Sequence, residues 1–222
     1  MSGARKPFRG VIFDMDGVLT DSEPAFFEAI SDVLARYGTS VGTEEYAQFI
    51  GSATPITWGG LIKLKQLPVA LDDVIEEYEA PLMERLRRPR SPLPGARELI
   101  DRLKSRGVPI GLCTASYSRW VDAILHAAGL DGLFDAISAA EMVEHTKPNP
   151  APYVLAASKL GLAPRECVAI EDSVNGVTSA LRAGTHVVQL RATETAAAPV
   201  AGVALVIASL EEFPMELVVG DV

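Results

Sequence analysis

The chain has 222 residues, 48% of them hydrophobic and 22% charged, with a formal net charge of −9. That length buries a full core and suits one domain carrying an insertion, while the acidic balance disfavours nucleic acid as a partner. No apolar stretch reaches the roughly 20 residues that span a bilayer, and MSGARKPFRG lacks the apolar segment of a signal peptide, so a cytoplasmic protein without membrane attachment is expected; a monomer is expected as well.

Arg5, Lys6 and Arg9 read as a short solvated arm ahead of the first predicted element, FRGVIFD (8–14). This apolar run has the character of a buried strand, yet it leads into two aspartates one residue apart, Asp14 and Asp16, and then glycine. Ionised carboxylates beside an apolar interior are costly unless a cation or strong donors compensate them. A helix is predicted from near Pro24, and the next sixty or so residues read as helices only: TEEYAQFI, TPITWGGLIKLKQL and LDDVIEEYEAPLMERLRR. This is a helical insertion over 23–90, with hinges near Asp21–Glu23 and in RPRSPLPG, and it leaves 1–22 and 91–222 as the core.

From Ala96 onward, strand and helix patterns alternate. The strands are VPIGLCTAS, LFDAISAAE, ECVAIED, THVVQL and VALVIAS, separated by ARELIDRLKSRG, SRWVDAILHAAGL, APYVLAASKLGL and SVNGVTSALRAG, several of which close at glycine. The pattern predicts an α/β fold, a doubly wound, Rossmann-like parallel sheet covered on both faces. TETAAAPVAG reads as a loose surface loop, and Cys113 and Cys167 as buried small hydrophobes without metal-ligand spacing.

Ligands of a doubly wound sheet collect beyond the carboxyl ends of its strands. Those ends supply Asp14 and Asp16, Thr114 with Ser116, Lys147 in HTKPNP, and Glu171 with Asp172. Four acids, one lysine and two hydroxyls suit a phosphate and a hard dication held together, and oxygen ligands in that number suit Mg²⁺. The compensating charge for the aspartates is then Mg²⁺ plus Lys147. Taken singly, each residue could equally cap a helix, as Ser173 could after Asp172.

These segments resemble the motifs of haloacid dehalogenase-like hydrolases: DMDGVLTDSE the opening DxDGxxxD, LCTAS the apolar strand ending in Thr or Ser, TKPNP the lysine segment, and IEDSVNG the closing acidic pair. The likeness runs from Phe8 to Phe213, and the helical insertion resembles the small α-helical cap of the branch containing β-phosphoglucomutase and many sugar-phosphate phosphatases. The resemblance implies that Asp14 is the nucleophile and that Asp16 protonates the leaving oxygen and later deprotonates water. It implies that Lys147, Thr114 and the amides of Ala115 and Ser116 hold the phosphoryl group. Mg²⁺ would lie on Asp14, the Asp16 carbonyl and Asp172, with Glu171 a ligand or a partner behind them. The expected activity is Mg²⁺-dependent hydrolysis of a small phosphorylated metabolite through an aspartyl phosphate.

A β-phosphoglucomutase-like phosphomutase and a catalytically silent phosphate-binding domain are the alternatives. The mutase pattern places an arginine after a cap glycine, where counting from Gly51 gives Thr54, and no arginine occurs between Tyr37 and Glu84. Phe26 also stands where the mutase carries a histidine. Trp58 is expected in the core of the insertion, Lys63 and Lys65 on a solvated face, and LDDVIEEYE on the wet side of its helix. His145 is expected in a loop.

Overall fold

The computed structural model describes residues 7–193 and 196–219. Six strands form one all-parallel sheet: β1 (Gly10–Phe13), β2 (Ile110–Cys113), β3 (Ala136–Ser138), β4 (Cys167–Glu171), β5 (His186–Leu190) and β6 (Leu205–Ile207). Their order is β3-β2-β1-β4-β5-β6, so the chain reverses its direction of travel between β1 and β4. At such a reversal the loops on either side diverge and leave a crevice above the strand ends.

The continuous apolar runs follow from burial on both faces. Val11, Phe13, Leu112, Val168 and Ile170 pack with α5 (Ala96–Ser105) and α6 (Ser118–Ala127). Ile12, Cys113, Ala169 and Val187 point the other way, onto α7 (Ala151–Lys159) and α8 (Val174–Ala183). Both cysteines are buried and free, as the apolar runs around them predict, and burial pushes the Cys167 thiol up to about 12.

Between β1 and α5 the chain forms α1 (Glu23–Arg36), α2 (Thr43–Ala47), α3 (Thr54–Lys65) and α4 (Leu71–Leu86). Helix α4 packs on α1 and α3 and also reaches α6. The outward chain crosses at Thr20–Ser22 and returns through Arg87–Pro94, where the Leu93 N–H donates to the Leu19 carbonyl at 2.8 Å. Arg90 closes α4 by donating to the Arg85 and Leu86 carbonyls.

Two surface expectations need correction. The acidic run on α4 is not simply a wet face: Glu79 takes two hydrogen bonds from Arg119 at 2.5 and 2.7 Å and one from the Trp120 indole at 2.9 Å, tying α4 to α6. The segment TETAAAPVAG, of which Glu194 and Thr195 lie outside the described residues, is not loose where it is described. The buried Gln189 side chain donates to the Ala197 and Ala198 carbonyls and accepts from the Val200 N–H. Arg5 and Lys6 also lie outside the described residues, while Arg9 pairs with Glu166 at 2.8 Å on the surface. No helix among the described residues is long and apolar enough to cross a membrane.

Candidate active site

The ladder between β1 and β4 continues one residue past β1, because the Asp14 N–H donates to the Ile170 carbonyl at 2.9 Å. The backbone beneath this carboxylate is therefore fixed. The chain then doubles back, with the Gly17 N–H donating to the Thr20 carbonyl at 2.8 Å. Gly17 sits at φ 79°, and a Cβ there would run into the Asp172 carboxylate, so both conformation and space require glycine.

Lys147, from the loop between β3 and α7, crosses the floor of the site. Its Nζ donates to Asp14 Oδ1 and Glu171 Oε1, each at 2.5 Å, and to the Cys113 carbonyl at 2.9 Å. Three ammonium protons thus meet three acceptors. Lysine and glutamate are 2% and 0% exposed, so each depends on its partners for solvation. Burial alone would depress the Lys147 ammonium, but Asp14 and Glu171 outweigh it and hold its pKa well above the ordinary value.

Glu171 is saturated with donors. Besides Lys147 it accepts from the Tyr153 hydroxyl at 2.8 Å and from Asp172 N, Ser173 Oγ and Ser173 N at 3.2, 3.3 and 3.4 Å. Ser173 is also the N-cap of α8, accepting from the Gly176 N–H at 3.0 Å, so capping and support of the site fall to one side chain. A Cβ on Gly176 would overlap the Glu171 carboxylate, which gives this glycine of IEDSVNG its reason.

Asp14, Glu171 and Asp172 each offer an oxygen within 4.8 Å of the others, and all three are buried. Burial first, then their mutual repulsion, raises the Asp14 and Asp172 carboxyls well above the usual range. Three carboxylates against one ammonium leave an excess of negative charge that a hard, oxygen-seeking dication fits. The Asp16 carboxylate lies outside this group. It accepts instead from the Ser22 hydroxyl, from Thr114 Oγ1 at 3.3 Å and from Ser116 Oγ at 3.2 Å. Desolvation raises its pKa despite these three donors.

Thr114 follows β2, and its Oγ1 also takes the Ser116 N–H at 3.0 Å, which curls Thr114–Ser116 over the strand end. Ala115 borders two adjoining clefts. The lower contains Asp14, Lys147 and Asp172; the upper rises from Asp16 and Ser116 between the sheet and helices α1 to α4. All eight predicted site residues, Asp14, Asp16, Thr114, Ala115, Ser116, Lys147, Glu171 and Asp172, thus converge, in two groups.

Trp58 is buried as expected, edge-on to Tyr78, and also lines the upper cleft. Lys65 pairs with Glu45 at 2.8 Å, Lys63 is exposed, and His145 lies in an exposed loop. Sequence reasoning overlooked Tyr153, the orienting role of Ser22, and Glu23, which borders both clefts. A tyrosine six residues after Lys147, on the first turns of the following helix, was the available signal for Tyr153.

Comparison with known proteins shows the family. The family model "haloacid dehalogenase-like hydrolase" matches residues 8–184. Fructose-1-phosphate phosphatase YqaB of Escherichia coli is 33% identical over 186 residues, covering 83% of this chain and 97% of its own. Hexitol phosphatase B of the same organism is 33% identical over 193 residues, covering 82% and 83%. The crystal structure of CbbY from Rhodobacter sphaeroides in complex with phosphate superposes with a TM-score of 0.85 at 25% identity, over 92% of this chain and 96% of that one. The chain belongs to the haloacid dehalogenase-like hydrolases and is an enzyme of that class.

Proposed function

We propose that the protein is a Mg²⁺-dependent phosphatase that hydrolyses a small phosphate monoester, a sugar phosphate or related metabolite, through an aspartyl phosphate on Asp14. The observation that carries this reading is the contrast between two aspartates one residue apart. Asp14 is paired with Lys147 in the carboxylate group, whereas Asp16 is turned away onto three hydroxyls with its pKa raised by burial. Carboxyls whose surroundings differ in this way can divide nucleophile from acid and base.

In this scheme an Asp14 oxygen attacks phosphorus and the bond to the leaving oxygen breaks. Asp16, entering protonated, gives its proton to that oxygen, then takes one from the water that attacks the acyl phosphate and regenerates Asp14. The Ser22 hydroxyl keeps Asp16 oriented, and Lys147 offsets charge on the phosphoryl oxygens while remaining anchored on Glu171. Thr114 and the amides of Ala115 and Ser116 would bind the transferring group, so most of the rate comes from positioning and electrostatics. Asp14, Asp172 and the Asp16 carbonyl would hold Mg²⁺, with Glu171 behind them. Bound there, the ion would supply the counter-charge that keeps these carboxylates ionised and would polarise the phosphoryl group.

Residues 23–90 would act as a cap over the site, with water rather than a second substrate hydroxyl as the acceptor. Thr54 and Phe26, at the positions discussed for the mutase, both line the upper cleft, and among the described residues no lysine, arginine or histidine does. A distal phosphate would find no cationic grip there.

The test is Mg²⁺-dependent turnover of p-nitrophenyl phosphate by the wild type, Asp14→Asn and Asp16→Asn. Both variants are expected to be nearly inactive, and phosphoenzyme is expected to accumulate only in Asp16→Asn, because an aryl leaving group needs little acid assistance. Near-normal activity of Asp14→Asn, or full activity in EDTA, refutes the scheme.

A further inference from the structure

The upper cleft has a chemistry that family membership does not dictate. It is narrow, with about 50 Å³ of space for the centres of water-sized spheres. The carboxyl groups on its walls belong to Asp16 and Glu23; among the described residues no lysine, arginine or histidine lines it, the nearest ammonium being that of Lys147 in the lower cleft. A second anionic group entering beside the reacting phosphate would therefore find no cation lining this cleft, and would meet like charge wherever the Glu23 carboxyl is ionised.

What the cleft offers instead suits neutral hydroxyls. Trp58 is 0% exposed, and its indole N–H has no acceptor among the described residues, although buried donors are normally satisfied. Glu23 takes the Tyr46 hydroxyl at 2.7 Å on one oxygen, and no described residue donates to its other oxygen. Its carboxyl is held up at about 7, by burial above all, against the pull of the Tyr46 hydrogen bond and with Asp16 and Asp21 adding to the rise. Ser52, Thr54 and Thr57 add hydroxyls, while Phe26, Phe49 and Trp58 give apolar surface for the C–H faces of a carbon chain or ring. A donor lacking an acceptor, a half-used carboxylate and aromatic walls together match a polyol.

We infer that Glu23 and Trp58 select the alcohol part of the substrate as an uncharged polyhydroxylated chain or ring, excluding monoesters that carry a second phosphate or a carboxylate. One substrate hydroxyl accepts from Trp58 Nε1 and another donates to Glu23. The inference rests on the phosphatase reading and narrows it: a site built around hydroxyls rejects anionic analogues, which leave its own polar groups unpaired.

The experiment measures kcat/KM for a hexitol monophosphate, the corresponding bisphosphate, phosphoglycolate and p-nitrophenyl phosphate, in the wild type, Trp58→Phe, Glu23→Gln and Thr54→Arg. The hexitol monophosphate is expected to lead both anionic substrates by at least about tenfold, the effect of one good polar contact. Trp58→Phe should cut this lead about tenfold through KM. Glu23→Gln, nearly isosteric, should raise phosphoglycolate relative to the hexitol ester, and Thr54→Arg should raise the bisphosphate. Turnover of p-nitrophenyl phosphate with equal or better use of the anionic substrates overturns the inference and leaves the phosphatase reading standing. Failure to hydrolyse any of the four by the folded wild type overturns both. A hexitol preference that survives unchanged in Trp58→Phe and Glu23→Gln removes the assignment to these two side chains.

Discussion

The floor of the site and the helical walls above it solve opposite problems. On the floor, Lys147, Asp14 and Glu171 lie within 2.5 Å contacts away from solvent, and each charge is tolerable only because the others are present. On the helical side the ion pairs, such as Lys65–Glu45, lie nearer water, and the cleft surface is neutral apart from Glu23 and Asp16. In the proposed scheme, reactive chemistry is thus concentrated where the sheet fixes the backbone, and recognition where exchangeable helix side chains would meet the ligand. Changes to the floor should be costly and uniform across substrates; changes to the walls should be mild and selective.

The largest effect tests the contrast directly. Lys147→Met leaves two buried carboxylates unpaired and should cost about 3–5 kcal/mol in urea unfolding, with activity lost toward every substrate. Lys65→Met should cost less than about 1 kcal/mol. Similar losses for the two would erase the distinction between floor and walls.

Tyr153→Phe comes next. It removes one donor to a buried carboxylate, worth about 1.5–3 kcal/mol, and loosens Glu171 beneath Lys147. We expect kcat to fall several-fold with KM little changed; a variant stable and active as wild type would show that Glu171 needs no fifth donor. Glu79→Gln keeps the size of the link between α4 and α6 but discharges it. A loss of about 1 kcal/mol is expected, since Arg119 is half exposed and screened. No measurable change in thermal unfolding would make that link ornamental.

The last test concerns pH. The Glu23 carboxyl moves from an ordinary 4.5 to about 7 on folding, so across that window the folded chain holds more protons than the unfolded one and loses stability as pH rises. Glu23→Gln removes this loss. In metal-free protein its Tm relative to wild type should therefore be higher at pH 8 than at pH 5, by a few degrees; an equal offset at both would deny the shift.

Much of this arrangement was legible in the sequence because it is carried by local patterns. Runs such as VPIGLC and CVAIE announce strands buried on both faces, and their polar ends announce where ligands gather, so Asp14, Thr114 and Glu171 could be placed without coordinates. The residues that escaped act through long-range pairings without periodicity. Tyr153 reads as one more apolar position of α7, Glu79 as one acid among several on α4, and Gln189 as an interruption of an apolar strand. Each is explained only by the element it meets: Glu171 on β4, Trp120 on α6, and the 197–200 segment. Trp58 shows a different limit, since burial was foreseeable but an unanswered indole N–H beside a cleft was not.

Gln189 carries a consequence for how far the catalytic unit extends. The family match ends at residue 184, after every side chain assigned a chemical role. Yet the Ala197 N–H donates to the Asp172 carbonyl at 2.9 Å, Gln189 holds Ala197 in place, and β5 is the outer neighbour of β4 from Val168 to Glu171. A chain truncated at 184 would keep the whole chemical inventory and lose the scaffolding on one side of it. The minimal working enzyme is therefore longer than its motifs, and the last two strands belong to the machinery although they contribute none of its reagents.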